Sequence, residues 1–241
     1  MRKIQFIDNE IYHIYNRGVE KRNIFLDNQD RFRFIHDLFE FNNKLSIPNS
    51  YYFYSKENSF EAEPRKIKQQ IRKPRKLLVE ILAFILMPNH YHLLLRQKEK
   101  GGITKFMQKL GTGITMYFNK KYDRTGHLFQ GKFKAINVNK EEYLVYLLYY
   151  IHFNCLDLID SGWRKGKIRN YQKVTDSLSS YRWSSHLDYT GKKNLPSITQ
   201  RDFLLNILNG EKKYKEGVEN WLKEISERKI LEFEKIMLEK I

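Results

Sequence analysis

Two periods alternate along the chain. Residues 11–19, IYHIYNRGV, alternate partly, are rich in β-branched and aromatic side chains and stop at Gly18, so they predict a strand. Residues 28–45 place Phe32, Ile35, Leu38 and Phe39 near helical spacing, behind Asp27 or Asn28 as a cap. Residues 77–87 form an apolar run suited to a buried strand, Pro88-Asn89 is a turn signal, and residues 90–96, HYHLLLR, read as the second strand of a hairpin. Ile103, Phe106, Met107, Leu110, Ile114 and Tyr117 make a helical stripe. Residues 129–138 are a further strand candidate, and residues 140–156 a helix rich in Leu and Tyr.

The order is therefore β-α-β-β-α-β-α. That is the split βαβ pattern, so the expected fold class is α+β, a ferredoxin-like (RRM-like) sandwich with an antiparallel sheet and one extra helix. Residues 46–76 interrupt it as an insertion or loop, with Pro64 and Pro74 around a basic run. The organisation expected is one α+β domain over residues 1–160 and a helical C-terminal extension over residues 161–241, in which 216–240 reads as an amphipathic helix.

Composition narrows the classes. With 241 residues and 41% apolar positions the chain can build a core. Its one cysteine, Cys155, excludes an intramolecular disulfide and a Cys-rich zinc module. No apolar run is long enough for a transmembrane helix, and MRKIQFIDNE lacks the apolar core of a secretory signal, so a cytoplasmic location and no membrane partner are expected. The net charge of +16 makes nucleic acid the leading partner, ahead of an anionic membrane surface or a plainly solvated one. The charge is not spread evenly. Residues 64–76 hold seven basic and no acidic residues, and residues 101–140 hold eight basic against Asp123 alone, so most of the excess flanks the hairpin.

Two constellations carry chemistry. His90 and His92 stand at i and i+2 on a strand, so both imidazoles face one way and can share a divalent metal. Alone, such a pair is more often structural or incidental than metal-binding. Tyr150 and Asn154, in YYIHFN, stand at i and i+4 on a helix, one turn apart; alone, a Tyr there is more often packing.

Together these segments resemble a known family. MPNHYHLLL resembles the His-hydrophobic-His motif of the HUH endonucleases. GHLFQGKFKA, YYIHFN and YRWSSH resemble, in that order, segments of the REP-associated tyrosine transposases, relatives of the single-tyrosine insertion-sequence transposases. The middle residue Tyr91 departs from the family's usual aliphatic. The resemblance implies a central HUH strand, a tyrosine helix beside it, and metal-assisted cleavage and rejoining of single-stranded DNA through a 5′-phosphotyrosine. It implies Tyr150 as nucleophile, and His90, His92 and Asn154 as ligands of Mg²⁺ or Mn²⁺. Helical geometry agrees with this choice of tyrosine: Tyr149 faces about 100° away with Phe153 at i+4, and His152 lies about 200° around the helix. The expected substrate is palindromic, hairpin-flanked DNA, and the expected state a monomer or homodimer. Arg17, Lys120, Lys121, Arg124, Lys132 and Lys134 are the DNA-binding candidates. The alternatives are a non-catalytic nucleic-acid-binding protein on the same fold and a metal hydrolase of small phosphoesters.

Overall fold

The computed structural model describes residues 4–44, 75–165 and 168–224. Strands β1 (Ile11–Arg17), β2 (Val79–Met87), β3 (His90–Gln97) and β4 (Lys134–Val138) form one antiparallel sheet in the order β2-β3-β1-β4. Helix α1 (Asn28–Glu40) joins β1 to β2 and α2 (Gly102–Lys121) joins β3 to β4, so the fold is α+β and ferredoxin-like. The expected insertion lies outside the described residues, apart from its last two residues, Arg75 and Lys76.

Strand alternation sends apolar side chains to both faces. On one face Tyr12, Ile14, Phe84, Tyr91, Leu93 and Leu95 pack against Phe34 and Leu38 of α1 and Phe106, Leu110 and Ile114 of α2. Helix α1 starts on a capping box between Asp27 and Asp30. Its end presses on α2 at Gly113, where a Cβ would lie 2.5 Å from the Phe41 ring.

The other face, with Ile11, Ala83, Ile85 and Leu94, is covered by α3 (Glu141–Phe153) through Leu144, Leu147, Leu148 and Ile151. After α3 come two 3₁₀ turns, Asn154–Leu158 and Ser161–Lys165, and then α4 (Tyr171–Ser180), α5 (His186–Tyr189), α6 (Asp202–Ile207) and α7 (Glu211–Glu224). Trp163, Val174, Leu178, Tyr189, Leu204, Tyr214 and Leu222 from this region join the same core as α3. Of the expected helix over 216–240, only the part within α7 is described. Cys155 is buried there, its Sγ 3.4 Å from the His152 carbonyl, and burial raises its thiol to about 12.

The extension closes the outer edge of β2, which would otherwise present unpaired backbone groups. Leu86 N–H donates to the Trp183 carbonyl, Ser185 N–H to the Phe84 carbonyl, and Gln200 N–H to the Ile81 carbonyl. Phe84 N–H donates to Ser185 Oγ at 3.0 Å. The register shift between Ile81 and Ala83 brings the Leu82 carbonyl to the Tyr189 hydroxyl at 2.8 Å. The YRWSSH segment is thus a surrogate strand edge. It also reaches α3. His152 bonds Ser185 Oγ through Nε2 and Tyr214 Oη through Nδ1, each at 2.7 Å, and His186 Nδ1 meets the same hydroxyl at 2.7 Å. His152 is therefore a buried structural residue.

Two boundaries differ from expectation. The strand read over 129–138 starts only at Lys134. Phe129 makes a single bridge to Gly18, and Gln130 N–H and the Gly131 carbonyl then bond Arg17 and Asn16, which leads 129–131 out of the ladder. The helix read over 140–156 ends at Phe153, because Asn154 opens a 3₁₀ turn.

Ser185→Ala would leave the Phe84 N–H and a His152 ring nitrogen buried without this partner. Urea titration should show a loss of about 1–3 kcal/mol; an unchanged midpoint would refute the edge assignment. Burial holds His152 well below 6.5 and His186 at about 4. The folded state therefore binds fewer protons than the unfolded state between those values, and stability must rise with pH there. Urea midpoints should fall as pH drops below about 6.5, the ordinary histidine value.

Candidate active site

The antiparallel register assembles one polar row on the α3 face. His90 lies opposite Arg17, His92 opposite Tyr15, and Tyr15 opposite Lys134. Tyr91, between the histidines, turns to the other face and packs on Phe34 and Phe129, with centroids 5.0 and 5.9 Å away. A bulky middle residue is accommodated because that face is core.

Each histidine has its own partner. Asn89 Nδ2 donates to the Lys21 carbonyl, which turns Asn89 Oδ1 toward His90 Nδ1 at 2.6 Å. His90 Nδ1 must therefore carry the proton, and the lone pair stands on Nε2. That nitrogen is buried and has no hydrogen-bond partner among the described residues. His92 Nδ1 lies 2.8 Å from His13 Nε2. Burial, then the Arg17 charge, lowers His90 to about 4; burial lowers His13 to about 3 and His92 well below the usual value. All three are neutral imidazoles at neutral pH. They do not converge as three ligands: among the described residues no three His, Cys, Asp or Glu side chains are grouped to hold a metal.

Tyr150 of α3 lies over this row, 1% exposed, its ring edge-on to His92 with centroids 6.2 Å apart. Arg164 organises the rest. It donates from Nη1 to Tyr150 Oη and from Nη2 to Asn154 Oδ1, both at 2.9 Å, while Asp157 grips Nε and Nη2 at 2.7 to 3.2 Å. Asn154 Nδ2 donates to the Tyr150 carbonyl at 2.7 Å. Tyr150 and Asn154 are thus brought together as the spacing suggested. In this arrangement, however, the oxygen that Asn154 would offer a metal accepts a bond from Arg164.

The basic candidates separate. Arg17 is half-buried, with Nε buried and no hydrogen-bond partner for it among the described residues. Lys134 is exposed on the same face, 5.6 Å over the Tyr15 ring, and Lys132 and Lys120 are exposed. Arg124 is half-buried over Phe118 and bonded to Asn119 Oδ1 at 3.2 Å. The Lys121 ammonium bonds Asp27 and Asp30, each at 2.7 Å, tying α2 to the start of α1 and giving the buried Asp30 carboxylate a cation.

Sequence reasoning missed His13, Asn89 and Arg164. Alternation along β1 puts His13, Tyr15 and Arg17 on one face, a usable signal once β1 is known to lie beside β3. Arg164 sits in an irregular stretch with no period to mark it.

Residues 52–154 match the family model described as Transposase IS200 like. No curated protein matches the chain. Among solved structures, one titled as a REP-associated tyrosine transposase bound to a REP hairpin is similar at 12% identity, with a TM-score of 0.48, over 81% of this chain and 88% of that one. Among the described residues no helix is long and apolar enough to cross a membrane. Over the segment that carries His90, His92, Tyr150 and Asn154, the chain matches the IS200-like transposases, the group its motifs resemble.

Proposed function

We propose that this chain is a metal-dependent single-stranded DNA endonuclease and strand transferase that works through a 5′-phosphotyrosine on Tyr150. The observation that carries the reading is the meeting of Tyr150 with His92 across the interface of α3 and the sheet, within the segment matched by the transposase family.

The donor set fits a divalent ion. His90 and His92 are neutral and share a face, and the proton on His90 is held at Nδ1, away from the candidate donor nitrogen. Asn154 is the third candidate donor, provided Arg164 releases its oxygen. Mg²⁺ or Mn²⁺ bound there would polarise the non-bridging oxygens of the scissile phosphate. Tyr150 Oη attacks phosphorus: the phenolic O–P bond forms, the P–O3′ bond breaks, the phenol proton passes to solvent and the 3′-oxygen takes one up. Rejoining is the reverse and needs no ATP, because the phosphotyrosine keeps the ester bond. Arg164 faces the phenol oxygen, where negative charge gathers as the proton leaves. Arg17 and Lys134 share this face on the β1 and β4 side of the histidines, and in this reading they meet backbone phosphates of the strand lying there. By the motif resemblance, the substrate is hairpin-flanked DNA.

Tyr150→Phe should abolish cleavage and the covalent adduct on a hairpin-flanked oligonucleotide with Mg²⁺ or Mn²⁺, while hairpin binding persists. An adduct that survives the change would exclude Tyr150 as nucleophile. Wild-type protein that binds but never cleaves would favour the non-catalytic binding reading. Lys121→Ala should cost about 1–3 kcal/mol of stability and leave the salt dependence of DNA binding unchanged. Lys134→Ala should reduce the slope of log affinity against log salt by about one.

A further inference from the structure

We propose that His13 is a positioning residue for the candidate metal site: by accepting a hydrogen bond from His92 Nδ1–H, it sets His92 in the tautomer whose Nε2 lone pair can take a divalent ion. The inference rests on the metal reading above.

The geometry leaves two arrangements of one proton. His13 Nε2 and His92 Nδ1 are 2.8 Å apart and the ring planes differ by 9°, so one nitrogen donates and the other accepts. If His13 donates, a neutral His92 carries its remaining proton on Nε2 and cannot ligate. If His92 donates, its Nε2 bears the lone pair, and His13 carries its own proton on Nδ1. An unaided neutral histidine favours the proton on Nε2, so the ligating form needs an acceptor at Nδ1. His13 is the acceptor placed there.

Three observations support this role. His13 is fully buried, with its ring Nε2 on His92 Nδ1; either arrangement leaves one buried N–H, on His13 Nδ1 or on His92 Nε2, with no hydrogen bond among the described residues, and a cation beside His92 removes the second option. Tyr15 stacks beside both rings, 5.1 Å from His13 and 5.8 Å from His92 at 25° to each, which fixes their planes together. The companion histidine has the same arrangement by another route, since Asn89 Oδ1 accepts from His90 Nδ1. Each histidine of the pair is thus supplied with an acceptor at Nδ1: Asn89 follows from the turn before β3, and His13 comes from the neighbouring strand. A residue that orients a ligand in this way typically changes metal affinity by about 10–100-fold when removed.

The test is Mn²⁺ titration by calorimetry of wild type, His13→Leu and His13→Gln, with circular dichroism to verify folding. The expected result is affinity about 10–100-fold weaker in His13→Leu, with recovery in His13→Gln, whose carboxamide oxygen also accepts. Equal affinity in His13→Leu and wild type overturns the proposal alone; failure of His13→Gln to recover affinity, though folded, also overturns it. A wild type that binds no Mn²⁺ overturns the metal reading and this inference with it. Should His13→Leu not fold, ¹⁵N-histidine NMR of wild type with Mg²⁺ decides: His92 protonated at Nδ1 and His13 at Nδ1 is expected, and either proton found on Nε2 overturns the assignment.

Discussion

The candidate site depends on how α3 lies across the sheet face that carries His90 and His92. Leu144, Leu147, Leu148 and Ile151 bury that side of α3 against Ala83, Ile85 and Leu94. Hydrophobic contact alone permits sliding, because apolar attraction has little direction. Direction comes from the buried bonds of His152 to Ser185 and Tyr214, and from Ser185 to the edge of β2. A helix fixed to the sheet through polar pins two residues from Tyr150 keeps the phenol in register with the imidazoles.

The same burial creates the site's electrostatic character. Removing His13, His90 and His92 from water disfavours their charged forms, so they remain neutral bases, the form that binds a cation. Arg164 and Asp157 tolerate the partly buried setting by pairing through several hydrogen bonds. Among the described residues, neutral imidazoles on the sheet and a guanidinium on the helix side give the pocket no acidic character beyond Asp157, which Arg164 neutralises.

What was legible in the sequence follows how local each signal is. The hairpin with His90 and His92 was readable because alternation and the Pro88-Asn89 turn act within adjacent residues. The order of elements gave the ferredoxin-like topology for the same reason. His13 was silent because its partner, His92, lies 79 residues away, and only the strand order brings the two together. Lys121 looked like a surface cation because Asp27 and Asp30 are more than 90 residues distant. Residues 129–133 overran into a strand because the spacing of Phe129 and Phe133 does not distinguish a ladder from a single bridge. Arg164 lies where no period exists, so its tie to Tyr150 appears only in three dimensions.

Cys155 gives this arrangement a natural reporter. It is the sole thiol of the chain, 1% exposed, immediately after Asn154 and hydrogen-bonded to the carbonyl of His152. With its pKa raised by burial, the folded thiol is inert, and a thiol reagent reaches it only when the junction between α3 and the following 3₁₀ turn opens. The rate of its modification therefore measures the opening free energy of the segment that ties Tyr150 to Asn154, with no label introduced.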